Sequence, residues 1–344
     1  MRKIDTDLHD FLILNGILNT PLLNDQIIRN WGFNMNNVYE HYNSYLQIIV
    51  APNSPGPIEK HPYIEKYQAD CNFHRQTLLL GTFPPSSYFN NLPINNLPNH
   101  NVQNNNPTNY FYGNMNSLWY YLFGINDDEV TIPAIQESLF ENGISISDVF
   151  TFVQRNIMNS AFDSEYRNIV LNCDLKNIFN PESTINTILF TSGNLSGFLN
   201  NNTSALTGFR WLLEDCCDGL NSFSISGDIS GQGIYYPINT LGVQNALIQQ
   251  NNGIVWWLKL GSKKIKIINL PSPAPTAARQ MIGSAFFKRW INYKAVTNDL
   301  PPMPIGANVK QYLLQFPQIF IAPYTTNYRR EIYQMVLNNT IHLI

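Results

Sequence analysis

Charge is scarce in this chain. Only 13% of its 344 residues are Asp, Glu, Lys or Arg, while 44% are hydrophobic, a balance that excludes a solvated, disordered polyelectrolyte and allows a sizeable core. Cysteine is scarce too. Cys71, Cys173, Cys216 and Cys217 follow neither a zinc pattern nor a disulfide ladder, so reduced thiols and a cytoplasmic location are expected. Long apolar runs are missing. Met1-Arg2-Lys3 is followed by Asp5 and Asp7, and "FLILNGIL" is short and broken, which fits neither a signal peptide nor a membrane span. The six histidines, His9, His41, His61, His74, His100 and His342, include no pair at metal-ligand spacing, so no metal is expected. Neither Gly-x-Ser-x-Gly nor a phosphate-loop Gly-Lys-Ser occurs, which argues against an α/β hydrolase or nucleotide enzyme.

What is abundant is asparagine, with 47 residues, so an Asn at any one place carries little weight by itself. What is uneven is charge. From Ile229 to Asn298 there is no Asp or Glu, yet Lys259, Lys263, Lys264, Lys266, Arg279, Lys288, Arg289 and Lys294 all fall there. That segment is +8, and the remainder is −11, with 13 basic residues against 24 acidic ones. Such asymmetry suits a polyanion docked on one face, and equally suits a solvated surface.

Residues 1–70 read as a helical extension, since "DLHDFLILNGIL" and "NNVYEHYNSYLQIIV" carry apolar residues at three-to-four spacing. The Pro-rich "APNSPGPIEKHP" reads as a connector. "QTLLLGT" predicts a strand buried on both faces, and "GISISDVF" alternates like a strand and reaches an Asp. "TINTILFTSG" reads as a strand ending at a Gly turn, and "SALTGFRWLLEDCC" as a helix. "GIVWWLKLGSKKIKIINLPSP" predicts two strands joined by a Gly-Ser-Lys turn, and "PTAARQMIGSAFFKRWINYKA" one amphipathic helix started by Pro275 and Thr276. "NNLPINNLPNHNVQNNNPTN", half Asn, reads as a loop. Strands alternating with helices predict an α/β fold with a mainly parallel sheet, whose site lies at the carboxyl ends of its strands. The organisation expected is an extension over 1–70, a catalytic-type domain over 71–298 and a C-terminal extension over 299–344 packed on it.

Three loops, "GTFPPSSYF", "FYGNMNSLW" and "NLPSPAPTAARQ", would meet at that edge. With "GISISDVF", in this order, they resemble the uracil-DNA glycosylase superfamily, and most nearly its hypoxanthine-DNA glycosylase branch. The likeness covers roughly residues 76–294. It implies a three-layer α/β/α domain around a four-stranded, mainly parallel sheet, acting on DNA as a monomer without cofactor. Enzymes of this kind flip a nucleotide out of the duplex, because the glycosidic bond is unreachable inside the stack. Rigid Pro and Ser loops press on phosphates through contacts that need no side-chain charge.

Carried onto this sequence, the resemblance makes Pro84, Pro85, Leu270, Pro271, Ser272 and Pro273 the clamps. Thr276 and Arg279 open a helix facing phosphate, and Lys288 and Arg289 add positive charge. Thr82, Phe83, Phe89, Tyr112, Asp148 and Ser192 would line the base pocket. The best-known members carry an Asp where Phe83 stands and a His where Leu270 stands, so both charged catalysts are missing. In the hypoxanthine branch an Asn before the aromatic-ended helix start is the implied catalytic residue. Counting back from Trp119 places it at Asn116, with Asn114 the nearby rival. The prolines also have a plainer role as strand terminators, and Asp148 as a cap for its own loop.

The activity implied is monofunctional hydrolysis of an N-glycosidic bond, of a deaminated base in repair or of a modified base in invading phage DNA. The missing Asp and His motivate an alternative: a catalytically inactive nucleic-acid-binding protein of the same fold.

Overall fold

The computed structural model describes residues 58–61, 63–64, 74–84, 115–126, 130–155, 166–180, 182–191, 208–209, 223–227, 234–237, 255–260, 263–274 and 277–341. The expected helices within 1–50, and the Asn-rich loop, lie outside the described residues. Of "SALTGFRWLLEDCC" only Gly208 and Phe209 are described, and both are helical.

The main sheet is built on β2 (Thr77–Gly81), β3 (Ile144–Asp148), β6 (Thr187–Phe190) and β10 (Lys263–Asn269). These four are mutually parallel and lie in the order β3-β2-β6-β10. Their buried runs, Leu78–Leu80, Ile144–Asp148 and Ile188–Phe190, are what a parallel sheet covered on both faces requires. Beyond β10 the sheet continues antiparallel through β9 (Val255–Leu260), β7 (Phe223–Gly227) and β8 (Ile234–Pro237). The two strands expected in 253–273 are therefore present as an antiparallel pair. A second, antiparallel sheet takes the order β1-β4-β5 from β1 (Ile58–Lys60), β4 (Phe150–Arg155) and β5 (Tyr166–Leu171). The chain passes from one sheet to the other at Val149, the residue between β3 and β4.

Alternation along β2 divides the core. Leu79 points to a cluster with Ile144, Ile146, Leu189, Ile268 and the helices. Leu78 and Leu80 point to the other face, with Ile188, Phe190, Ile265 and Ile267, under Val153, Tyr166, Leu171 and Phe209. The helices are α1 (Met115–Phe123), α2 (Ile132–Glu141), α3 (Ala278–Met281), α4 (Ala285–Thr297), α5 (Val309–Gln315) and α6 (Tyr324–Leu337). In α2 the Thr131 hydroxyl caps the first turn by accepting from the Ala134 N–H at 3.2 Å. Ile132, Ile135 and Leu139 then form its buried stripe. From α5 and α6, Leu313, Ile332 and Tyr333 enter the same cluster as Trp119 of α1 and Leu189 of the sheet.

Two local expectations change. The connector "APNSPGPIEKHP" contributes a strand, because Ile58–Lys60 pairs with Phe152–Gln154. The single helix expected over 275–295 is two: α3 ends at Met281, and Ser284 starts α4 afresh by accepting from the Phe287 N–H at 3.1 Å. Among the described residues no helix is long and apolar enough to cross a membrane.

Candidate functional site

In the parallel sheet, β3 lies on one side of β2 and the next parallel strand, β6, on the other. Strand order therefore reverses between β2 and β6. The carboxyl edge at such a reversal is where an open α/β sheet forms its crevice. Four segments leave the sheet there: Thr82–Pro84 after β2, Asp148–Val149 at the end of β3, Thr191 after β6, and Leu270–Ala274 after β10. Backbone bonds hold the exits in register. Val149 donates to Gly81 O at 3.1 Å, Thr191 to Leu80 O at 3.3 Å and Leu270 to Phe190 O at 2.8 Å.

Buried at this edge is a polar pair of which the sequence singled out only Asp148. His61 Nε2 lies 2.9 Å from Asp148 Oδ2, with His61 4% and Asp148 2% exposed. The Tyr63 and Ile64 N–H groups both donate to His61 Nδ1, at 3.1 and 3.0 Å. Nδ1 is thus the acceptor nitrogen, and Nε2–H donates to the carboxylate. Gly81 stands opposite Asp148 in the β2–β3 register, and a Cβ there would lie 2.2 Å from Asp148 Oδ1. Only glycine admits the carboxylate at that spot. Buried Asn172 completes the group, donating to Ser147 Oγ at 3.0 Å and Asp148 O at 3.1 Å. Phe83 meets the His61 ring edge-on, centroids 5.2 Å apart.

Each Pro-rich loop is gripped from the core side by a buried arginine and a tyrosine. At the first loop, Arg155 Nη2 donates to Pro84 O at 2.9 Å and the Tyr166 hydroxyl to Phe83 O at 3.2 Å. The Arg155 guanidinium lies 4.6 Å from the Tyr166 ring centroid. At the last loop, Arg329 Nη2 donates to Ala274 O at 2.8 Å and the Tyr333 hydroxyl to Pro271 O at 2.9 Å. Arg329 Nη1 also donates to the Tyr121 hydroxyl of α1 at 3.3 Å, which links α6, α1 and this loop. Burial pushes the Tyr328 and Tyr333 hydroxyls far above the ordinary tyrosine range, with the Arg329 charge opposing the shift.

Of the residues expected at the site, Thr82, Phe83, Pro84, Asp148, Leu270 and Pro273 are buried at this edge, and Pro271 and Ser272 are half-buried there. Phe83 and Leu270 belong to opposite apolar clusters. Asn116 is the second residue of α1. Arg279 and Lys288 are exposed and Arg289 half-buried, on α3 and α4. The helix expected to open at Thr276 is, in its described part, the four-residue α3. Asn114, Phe89, Tyr112, Ser192, Pro85 and Thr276 themselves lie outside the described residues. Sequence reasoning missed His61, Arg155, Tyr166, Arg329 and Tyr333. Only Gly81, a glycine closing an otherwise apolar strand, hinted at a close neighbour. Among the described residues no three His, Cys, Asp or Glu side chains gather as a metal site. No family model, curated protein or solved structure matches the chain.

Proposed function

We propose that the chain is a monofunctional DNA glycosylase, which swings one damaged or modified nucleotide out of the stack and hydrolyses its N-glycosidic bond to leave an abasic site. One observation carries the reading: residues 82–84, Asp148 and residues 270–274 leave the parallel sheet at a common edge, beside the reversal of strand order. Stiff Pro-rich loops leaving one edge suit a strand held through its phosphates and sugars while a base is extruded. Asn116, in the first turn of α1, orients the attacking water through its amide. Cleavage passes through an oxocarbenium-like state, so positioning alone lowers the barrier. A general base typically adds about 10²–10⁴-fold. Without one at position 83 or 270, turnover is slow or the leaving base is a good one. The reading carries with it the complete α/β/α layering, a helical extension ahead of β1, and a monomer working on DNA in the cytoplasm.

A second reading, a binder without chemistry, is favoured by the burial of Phe83 and Leu270 in apolar clusters. The test is base release. Duplex and single-stranded DNAs carrying uracil, hypoxanthine, xanthine or hypermodified cytosine are incubated with the protein, then treated with alkali to cleave abasic sites. Cleavage of at least one substrate, lost in Asn116→Ala with binding retained, is the expected result. Tight binding with no abasic product on any substrate overturns the glycosylase reading in favour of the binder.

A further inference from the structure

The antiparallel wing of the main sheet has two unlike faces. In β10, Ile265 and Ile267 are buried in the cluster that holds Leu78 and Leu80. Register continues that apolar face as the row Ile265–Leu258–Ile225–Tyr236 across β9, β7 and β8. Successive strand residues alternate between faces, so Lys264 and Lys266 fall on the other one. Opposite Lys264 stands Lys259, and from Lys266 the row runs Trp257–Ser226–Tyr235. An antiparallel sheet commonly packs one face and wets the other, but wetting does not call for cations in register. Like charges directly opposite one another across a ladder are destabilising, and β7, β8, β9 and β10 contain no Asp or Glu to relieve them. Half-buried Lys266 gives its ammonium to a neutral acceptor, Asn339 Oδ1, at 3.1 Å. Burial holds its pKa below the ordinary lysine value. Asn339 is exposed and follows the end of α6, so that helix stops beside Lys266, and Lys264 and Lys259 lie further toward the β9–β10 hairpin.

We infer that this face of the wing is a docking platform for single-stranded nucleic acid, on which Lys259, Lys264 and Lys266 neutralise phosphates while Trp257 and Tyr235 take bases by stacking. Cations gather at one side of the ladder, and the aromatic residues cross it in a single row. That combination follows a strand's backbone and holds its bases without reading their sequence. A duplex keeps the faces of its bases inside the stack, so the aromatic row favours an unpaired strand. An acidic peptide would use the lysines and leave that row idle. The platform is separate from the crevice: β10 runs from the hairpin to the crevice edge, and at about 3.3 Å per residue Lys264 stands about 20 Å from Leu270. It goes beyond the glycosylase reading and needs none of its chemistry.

Binding by the full chain tests it, read as fluorescence anisotropy of a labelled oligothymidylate over a range of salt. The double variant Lys259→Gln/Lys264→Gln should weaken binding about tenfold at low salt. It should also flatten log K against log salt by about 1.4 units, about 0.7 for each single-strand phosphate left without its counter-charge. Its melting temperature should not fall, since the substitutions relieve two opposed charges. Trp257→Ala should weaken binding about tenfold with the slope unchanged, the mark of a lost stack. Should that variant not fold, Tyr235→Ala takes its place with the same expectation. A wild-type salt slope in the lysine variant overturns the inference. Full affinity in the aromatic variant overturns it in favour of a plain polyanion surface, and tighter binding to phosphatidylserine vesicles than to the oligonucleotide overturns it in favour of a membrane. Oligonucleotide binding that the lysine variant loses, in a protein that releases no base, would keep the platform and remove the glycosylase. Base release with an unaltered slope in that variant would do the reverse.

Discussion

Removing His61 should be among the most damaging single changes at the sheet edge. The ring is 4% exposed and donates to Asp148 Oδ2 at 2.9 Å, while its Nδ1 accepts from Tyr63 and Ile64 at 3.1 and 3.0 Å. His61→Ala strips a buried carboxylate of its donor and two backbone N–H groups of their acceptor. Breaking a buried pair by deleting one partner costs about 3–5 kcal/mol. Asp148→Asn is milder, since its amide oxygen still accepts from Nε2, and about 1–2 kcal/mol is expected for exchanging a charge-assisted bond for a neutral one. In His61→Ala/Asp148→Asn no charge is stranded, so the double variant should fall short of the summed losses by about 1.5–3 kcal/mol, the worth of a bond to a charged group. Urea unfolding at neutral pH measures all three changes, provided the denaturant dependence stays constant. A cycle additive to within about 0.5 kcal/mol would show that the two side chains do not support one another, and the account of this edge would be wrong.

Gly81→Ala should destabilise by about 1–3 kcal/mol through overpacking, because its Cβ would fall 2.2 Å from Asp148 Oδ1. The penalty should shrink in an Asp148→Ala background; an equal penalty in both would refute the steric cause. Alkali should unfold the protein. Tyr328 and Tyr333 have their pKa raised above the ordinary 10.0 by burial, so above about pH 10 the unfolded chain loses phenolic protons that the folded one keeps, and stability falls as pH rises. Each contributes at most about 1.4 kcal/mol per pH unit. Tyr328→Phe should reduce the slope of stability against pH measured by urea midpoints from pH 9 to 11, and an unchanged slope would count against it. Neutralising Arg279, Lys288 and Arg289 together should flatten the salt dependence of oligonucleotide binding, by up to about one unit for each phosphate no longer neutralised; an unaltered slope would remove α3 and α4 from the interface.

The parts of the fold legible in sequence were those encoded by local pattern. Three consecutive leucines before a glycine made β2 readable, and "GISISD" and "TILF" gave β3 and β6 the same way. The hairpin of β9 and β10 followed from two apolar runs around a Gly-Ser-Lys turn. Patterns failed where a partner far along the chain decides. Ile58–Lys60 lies in a Pro-rich stretch with no alternation to mark a strand, and becomes one because β4 offers an edge. His61 finds Asp148 across 87 positions, a relation that no local window contains. The break between α3 and α4 was written in Gly283-Ser284, a flexible residue followed by a capping hydroxyl, but the apolar period on either side masked it. The loops' own residues were readable as candidates for the site. The arginines and tyrosines that hold them, on β4, β5 and α6, carried no motif.

That holding arrangement bears on where this protein can be cut. A fragment trimmed to 71–298 would keep the glycosylase-like motifs yet forfeit β1 and His61 at one end, and Arg329 and Tyr333 at the other. Asp148 would be orphaned, and the turn after β10 would be without both of its anchors. Proteolytic loss of the segment beyond 299–323 should therefore loosen the turn after β10 while leaving most of the sheet standing.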